Sequence, residues 1–204
     1  EGGGPYDTLA IRGGIVIDGT GAPPRGPLTI LIKGNRIVSI GKFAGPADRT
    51  INATGMYVLP GFVDMHAHCG GKRKAPDAEY VYKLWLGHGV TTVRGVPLGP
   101  HEWTESERAR SARHEIVAPR IFNYQRPSGE LTPEEGRQWV RDMAAKGIDG
   151  LKLGAYRPAL MRALIEEAKA HGLGTVAHLA QTGVAQMDAM DAARLGLDTV
   201  THYY

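Results

Sequence analysis

The 204-residue chain has a single cysteine, Cys69, so no disulfide can close within it and redox chemistry says nothing of its compartment. No apolar run approaches the roughly 20 residues needed to cross a bilayer, which sets aside a helical membrane protein. A large excess of one charge sign is lacking as well. The net charge is +3, spread without a basic stripe or interleaved aromatics, so neither nucleic acid nor membrane is expected as a partner. Apolar residues at 42% and charged residues at 22% are ordinary for a soluble enzyme and exclude a disordered or collagen-like reading despite 28 glycines. A start at Glu1 rather than Met fits a removed leader or tag. The expectation for localisation leans to export, periplasmic in a bacterium, with the cytoplasm as the alternative.

A chain of this size holds one large domain, or a small domain and part of a bigger one. Residues 8 to 58 read as β structure, with Gly34-Asn35 as a tight hairpin turn between the alternating runs of "LTILIKGNRIVSIG". A small N-terminal β-sandwich domain is expected over residues 1–57. From residue 58 short apolar strands alternate with helical stretches, the pattern of βα units on a parallel sheet. Strands are expected in "YVLPGFVDMHAH" and at 91–96, 120–125, 150–155, 174–180 and 198–204. Ala78, Val81, Tyr82 and Trp85 make one helical stripe. Thr132, Pro133 and Glu135 supply an N-cap, a first-turn proline and a capping box for a helix that stops at Gly147. A third helix is expected from Pro158 to His171 and a fourth through "VAQMDAMDAARLG".

Equivalent points at 152, 178 and 202 recur 26 and 24 residues apart, the length of a strand plus a crossover helix. The expected fold class is α/β, a (β/α)8 TIM-like barrel of which residues 58–204 supply about six units. Eight are needed for closure, over about 250 residues. A six-stranded remnant leaves two parallel edges and an uncovered interior. The remaining C-terminal part of the barrel is therefore expected from the same polypeptide or a second chain. Association into a homo-oligomer stays open.

The stretch "VLPGFVDMHAHCG", residues 58 to 70, ends an apolar run in His66 and His68. Strand side chains alternate faces, so a His-x-His pair aims both imidazoles at one point, and a target shared by two neutral imidazoles is usually a metal ion. Lys152, His178 and His202 fall at the C-terminal ends of later strands, where barrel sites are assembled. Taken singly, a packed core histidine is the commoner reading for His178 and His202, and a solvated surface group for a lysine. Lys152 departs from that pattern. In "DGLKLG", Leu151 and Leu153 share one face and Lys152 takes the other, so with the leucines packed on helices the amine points into the barrel. Burying an ammonium is costly unless it is paired or neutralised. A neutral amine can react with carbon dioxide to give a carbamate, an anionic ligand able to bridge two metal ions.

With "PGFVDMHAH", "LKLG", "VAHLA" and "VTH" in this order and spacing, the chain resembles the amidohydrolase superfamily of metal-dependent hydrolases, in its imidazolonepropionase- and prolidase-like branch. The resemblance covers nearly the whole sequence. It implies that His66 and His68 bind the more buried metal, that Lys152 as its carbamate bridges to a second, and that His178 and His202 hold that second ion. The implied cofactors are two divalent ions, zinc first with manganese, iron or cobalt as alternatives, and carbon dioxide as the Lys152 carbamate. Lys152 and His202 count as catalytic in that scheme. The family also uses an Asp at the end of strand eight as ligand and proton shuttle. The chain ends before any such residue, so the 204 residues alone are expected to be inactive. Two such ions roughly 3.5–4 Å apart hold a bridging water and lower its pKa towards about 7, giving hydroxide at neutral pH. The expected reaction is hydrolysis of an amide, peptide-like or N-acyl amino acid, or of a related ester or lactone.

Contacts to a small-molecule substrate belong on loops after the strands, which nominates His101, Tyr124, Arg126, Tyr156, Arg157 and Tyr203. Each is otherwise an ordinary solvated loop residue. An arginine among them suits a substrate carboxylate held bidentately. Asp64 reads as hydrogen-bonding support beneath His66, or as a group that orients a ligand. His88 reads as a helix cap. Arg94 ends strand two, where it either faces the site or packs away from it. Cys69 packs as a small apolar residue or neighbours the metals. A different class of function stands beside the enzyme: a barrel of the same superfamily that serves as an assembly scaffold with structural histidines.

Overall fold

The computed structural model describes residues 4–71, 73 and 77–202, and Tyr203, one of the nominated substrate contacts, lies outside them. The chain divides into two compact units, Glu1–Gly61 and Phe62–Tyr204.

The first unit is one five-stranded sheet of β1 (Thr8–Val16), β2 (Arg25–Lys33), β3 (Arg36–Gly41), β4 (Arg49–Asn52) and β5 (Tyr57–Val58). β2 and β3 form the hairpin expected at Gly34-Asn35. β1 organises the rest. It pairs antiparallel with β2 on one side, and on the other takes β4 along its first half and β5 along its second, both in parallel. Ala10, Val16, Ile30 and Ala53 are buried, whereas Arg36–Ile40 of β3 is exposed along its length, including Ile37 and Val38.

The second unit runs β6 (Phe62–Ala67), α1 (Ala78–Gly87), β7 (Val90–Gly95), α2 (His101–Ala112), β8 (Arg120–Gln125), α3 (Pro133–Ala145), β9 (Gly150–Leu153), α4 (Pro158–Ala170), β10 (Gly174–Ala177), α5 (Ala180–Val184), α6 (Ala189–Leu195) and β11 (Thr199–Val200). Its six strands are all parallel and lie in chain order. Neighbouring strands sit about 4.8 Å apart, so a flat sheet would hold β6 and β11 about 24 Å from each other. Here Arg94 of β7 donates a hydrogen bond to Thr199 Oγ1 of β11 at 3.3 Å, and the His66 ring at the end of β6 lies 5.2 Å from that of His202, just past β11. The sheet is curled into an open half-barrel with those side chains inside.

Local chemistry places the joints. Thr132 caps α3 as expected: its hydroxyl accepts the Glu135 N–H, and the Glu135 carboxylate accepts the Thr132 N–H. Thr132→Ala is expected to cost about 0.5–2 kcal/mol, measured by urea unfolding. α3 and α6 each pass through a left-handed glycine, Gly147 or Gly196, followed by an apolar residue whose N–H reaches back into the helix, Ile148 to Met143 O and Leu197 to Ala192 O. An aspartate then stands just before the next strand. Asp149 accepts the Asn123 N–H and Asp198 accepts the Thr175 N–H, each locking a new strand to the one before it.

Several elements differ from the sequence expectation, among them the first unit, which is a single five-stranded sheet rather than a sandwich. The segment 184–196 is not one helix, because Asp188 and Asp191 form a capping box of their own and start α6 afresh at Ala189. α2 carries no apolar stripe. It buries Thr104 and Glu107, which is why periodicity does not reveal it. The expected strands at 150–155, 174–180 and 198–204 also end sooner, at Leu153, Ala177 and Val200, so His178 and His202 sit just beyond the regular ladder.

Candidate metal centre

Alternation sorts the side chains of β9. Leu151 and Leu153 are fully buried in the core formed with α3 and α4, and Lys152 between them turns to the barrel interior, where it is 7% exposed. Its Nζ donates to Thr201 Oγ1 at 3.1 Å, and the Thr201 hydroxyl in turn donates to Ala177 O at 3.0 Å. Among the described residues Lys152 forms no ion pair with a carboxylate. Burial, followed by the charges of Arg94 and Arg126, lowers its pKa to about 8.

Backbone hydrogen bonds carry the ladder one residue past the strands and thereby fix the histidines. The His178 N–H reaches Leu153 O at 3.0 Å, and the Thr201 N–H reaches Ala177 O at 2.9 Å. The chain then turns at His202, whose φ of +66° lies in the left-handed region that histidine enters more readily than most residues. On β6, Asp64 Oδ1 accepts the His66 N–H at 2.9 Å across the irregular register between Asp64 and Ala67. Asp64 thus shapes the backbone that presents His66.

The four imidazoles form a chain. Ring centroids are 4.9 Å apart for His68 and His66, 5.2 Å for His66 and His202, and 4.6 Å for His202 and His178. His68 Nδ1 lies 3.0 Å from Pro97 O. A carbonyl oxygen only accepts, so that nitrogen carries the proton and Nε2 presents its lone pair. The Nε2 atoms of His66 and His68 are 3.0 Å apart. Two nitrogens bound to one ion at about 2.0–2.1 Å come roughly 3.0–3.4 Å apart at ordinary coordination angles, so this spacing fits a shared cation. Burial, then the charges of Lys152, His68, His202 and Arg94, pushes the His66 pKa down to about 4. Burial is also the main cause that lowers His178, followed by His202, Lys152 and Arg126. Both shifts favour the neutral ring, the form that ligates metal. Among the described residues no group of three or more His, Cys, Asp or Glu closes around a single point.

No family model matches the chain. A stretch of 90 residues is 51% identical to an N-acyl-D-glutamate deacylase of Alcaligenes xylosoxydans xylosoxydans, covering 42% of this chain and 17% of that protein. A dihydroorotase of Anaeromyxobacter dehalogenans is 31% identical over 94% of this chain and 47% of its own length. Among solved structures, a putative prolidase from Bifidobacterium longum superposes with a TM-score of 0.78 at 23% identity, over 96% of this chain and 54% of that one. An N-acyl-D-glutamate deacylase from Bordetella bronchiseptica, complexed with zinc and a phosphonate mimic of the tetrahedral intermediate, does so at 0.67 and 21% identity, over 95% of this chain and 50% of that one. The chain belongs to the amidohydrolase superfamily. It spans less than half the length of the curated relatives it matches.

The other nominated residues take varied places in this amidohydrolase fold. Arg126 is exposed just past β8, and its charge acts on both Lys152 and His178. Tyr156 is half-buried, with its hydroxyl on Pro127 O at 3.0 Å. Arg157 is the exposed N-cap residue of α4. His101 opens α2 and its Nδ1 lies 3.2 Å from Asn123 Nδ2, inside a network with Glu105 and Gln125 between α2 and β8. Tyr124 sits deep. Its ring spreads over Gly150 and Gly174, the first residues of β9 and β10, where an added methyl would collide with it. His88 caps α1, with Nδ1 2.8 Å from Leu84 O. Cys69 packs at the edge of the apolar cluster around Tyr82, and burial raises its pKa. Thr199 and Thr201 are the contributors that sequence reading missed, their only signal being the alternation of "DTVTH".

Proposed function

We propose that this chain supplies the metal-binding part of a hydrolase that cleaves amide bonds of small N-acyl amino acid or peptide-like substrates, with related esters or lactones within reach of the same chemistry. The observation that carries the reading is a buried lysine amine without a carboxylate partner among the described residues, in an interior shared with four imidazoles. His66 and His68 would hold one divalent ion, His178 and His202 a second, and Lys152, as its carbamate, would join them. When bound, the ions supply an activated water and a polarised carbonyl. The relatives named as deacylases and dihydroorotases, and the zinc bound to the Bordetella bronchiseptica deacylase, support zinc and C–N bond hydrolysis.

The chain's own groups prepare that chemistry. The Pro97 carbonyl keeps the His68 proton on Nδ1 and its Nε2 lone pair directed at His66. The lowered Lys152 pKa raises the share of neutral amine at pH 7 by about two orders of magnitude over an ordinary lysine, and the neutral amine is the form that takes up carbon dioxide. Arg126, whose charge acts on Lys152 and His178, would bind a substrate carboxylate. The parallel edges β6 and β11 call for further strands, from the same polypeptide or a second chain, to close the barrel.

The test is metal analysis and turnover on the natural protein. About two equivalents of zinc or a related ion, and hydrolysis of N-acyl amino acids that a chelator abolishes and metal restores, are the expected results. Less than one equivalent after reconstitution, with no hydrolysis, would overturn the reading in favour of a scaffold.

A further inference from the structure

Among the described residues Arg94 is the second cation buried in the half-barrel, and the histidine and lysine chemistry above gives it no task. It is 6% exposed. Its Nε donates to Met65 O at 2.8 Å, its Nη1 to Thr199 Oγ1 at 3.3 Å, and its guanidinium carbon lies 5.2 Å above the Tyr124 ring. These partners come from three strands besides its own and none is an anion. Among the described residues Arg94, like Lys152, forms no ion pair with a carboxylate. A buried guanidinium costs several kcal/mol unless a negative charge offsets it. Two such cations in one interior, the charge of one acting on the other, make matters worse. Arg94 reaches across the interior to Thr199 on β11 and Lys152 to Thr201 just past its end, two residues and about 7 Å apart along extended chain.

The geometry points to Arg94 as the positioning residue that favours the carboxylated form of Lys152, by serving as the fixed counter-cation of its carbamate. The inference rests on the carbamate reading above. In the step itself the ammonium first gives a proton to solvent, the amine lone pair so freed attacks the carbon of CO2, an N–C bond forms, one C=O electron pair moves to oxygen, and a second proton leaves the nitrogen for solvent. The side chain passes from +1 to −1. Repulsion between residues 94 and 152 becomes attraction at the moment the bond forms, and the Met65 carbonyl, the Thr199 hydroxyl and the Tyr124 face hold the guanidinium still while it happens.

The experiment strips the natural protein of metal and reconstitutes it with zinc across a series of 13C-bicarbonate concentrations. Bound zinc and the carbamate 13C resonance are read for the parent, Arg94→Gln and Arg94→Lys. Arg94→Gln is expected to need at least about tenfold more bicarbonate for half-maximal carbamate, and Arg94→Lys to recover most of that shift, since it restores the charge. A merely structural arginine would leave the bicarbonate requirement where it was. If the parent carries the carbamate and Arg94→Gln shows the same requirement, the inference falls and the carboxylated lysine stands. If the parent shows no carbamate at any bicarbonate concentration, both fall. Should Arg94→Gln not fold, Thr199→Val, which removes only the Nη1 acceptor, carries the comparison: a several-fold rise supports the role, and an unchanged requirement overturns it.

Discussion

Replacing Lys152 by Met is expected to lower bound metal and turnover together, turnover by at least about 100-fold, while leaving the protein as stable as before or more so. The functional loss follows from removing the one side chain proposed to join the two pairs of imidazoles. Changing even a residue that only orients a metal ligand commonly costs 10–100-fold, and the loss of a ligand costs more. The stability side follows from the environment of the amine. Lys152 is buried beside Arg94 and Arg126, and its hydrogen-bond partner is the Thr201 hydroxyl, which keeps its own bond to Ala177 O when the amine goes. Met fills the same volume, removes a desolvated charge and orphans no polar group. A lysine kept for packing or for an unnoticed ion pair would behave the other way, losing stability and sparing activity. Urea unfolding, zinc analysis and kcat/KM on one preparation separate the two. A fully active Lys152→Met protein would remove the carbamate role.

What could be read in advance divides along a physical line. Local periodicity reports which face a residue takes, and it was enough to turn Lys152 inward between Leu151 and Leu153 and to place the hairpin at Gly34-Asn35. Capping chemistry is equally local, and Thr132 with Glu135 starts α3 where the motif says. The same rule read too generously runs one helix through Asp188, a residue whose carboxylate caps the start of a new one. Contacts that depend on the curl of the sheet are a different matter. That Arg94 crosses to Thr199, or that Tyr124 lies on the barrel floor, follows from a register shared by four or five strands. No window of sequence contains that register. His101 illustrates the remaining gap: it opens a polar helix that the apolar pattern does not mark, and it faces Asn123.

The floor beneath the site gives the largest stability effect, and a pair of substitutions isolates its cause. Gly174 has no side chain because the Tyr124 hydroxyl occupies that space, so Gly174→Ala drives a methyl into the oxygen and is expected to cost about 1–3 kcal/mol. Removing the oxygen should undo the damage. In a Tyr124→Phe background the nearest atoms to the new methyl are ring carbons at 3.1 and 3.4 Å, a tight contact that a few tenths of an ångström relieve. Most of the lost stability is therefore expected back in the double variant, a coupling that urea unfolding of the four proteins measures directly. Gly150 provides the contrast. A methyl there meets the Tyr124 ring itself, with Cζ at 2.6 Å, together with the Gly174 carbonyl oxygen, so Gly150→Ala should destabilise equally with Tyr or Phe at position 124. Equal losses for Gly174→Ala in both backgrounds would show that the hydroxyl is not what excludes the side chain. Because the Tyr124 ring also carries the Arg94 guanidinium, Gly174→Ala is expected to weaken metal retention along with stability, and Tyr124→Phe, which keeps the aromatic face, to restore both.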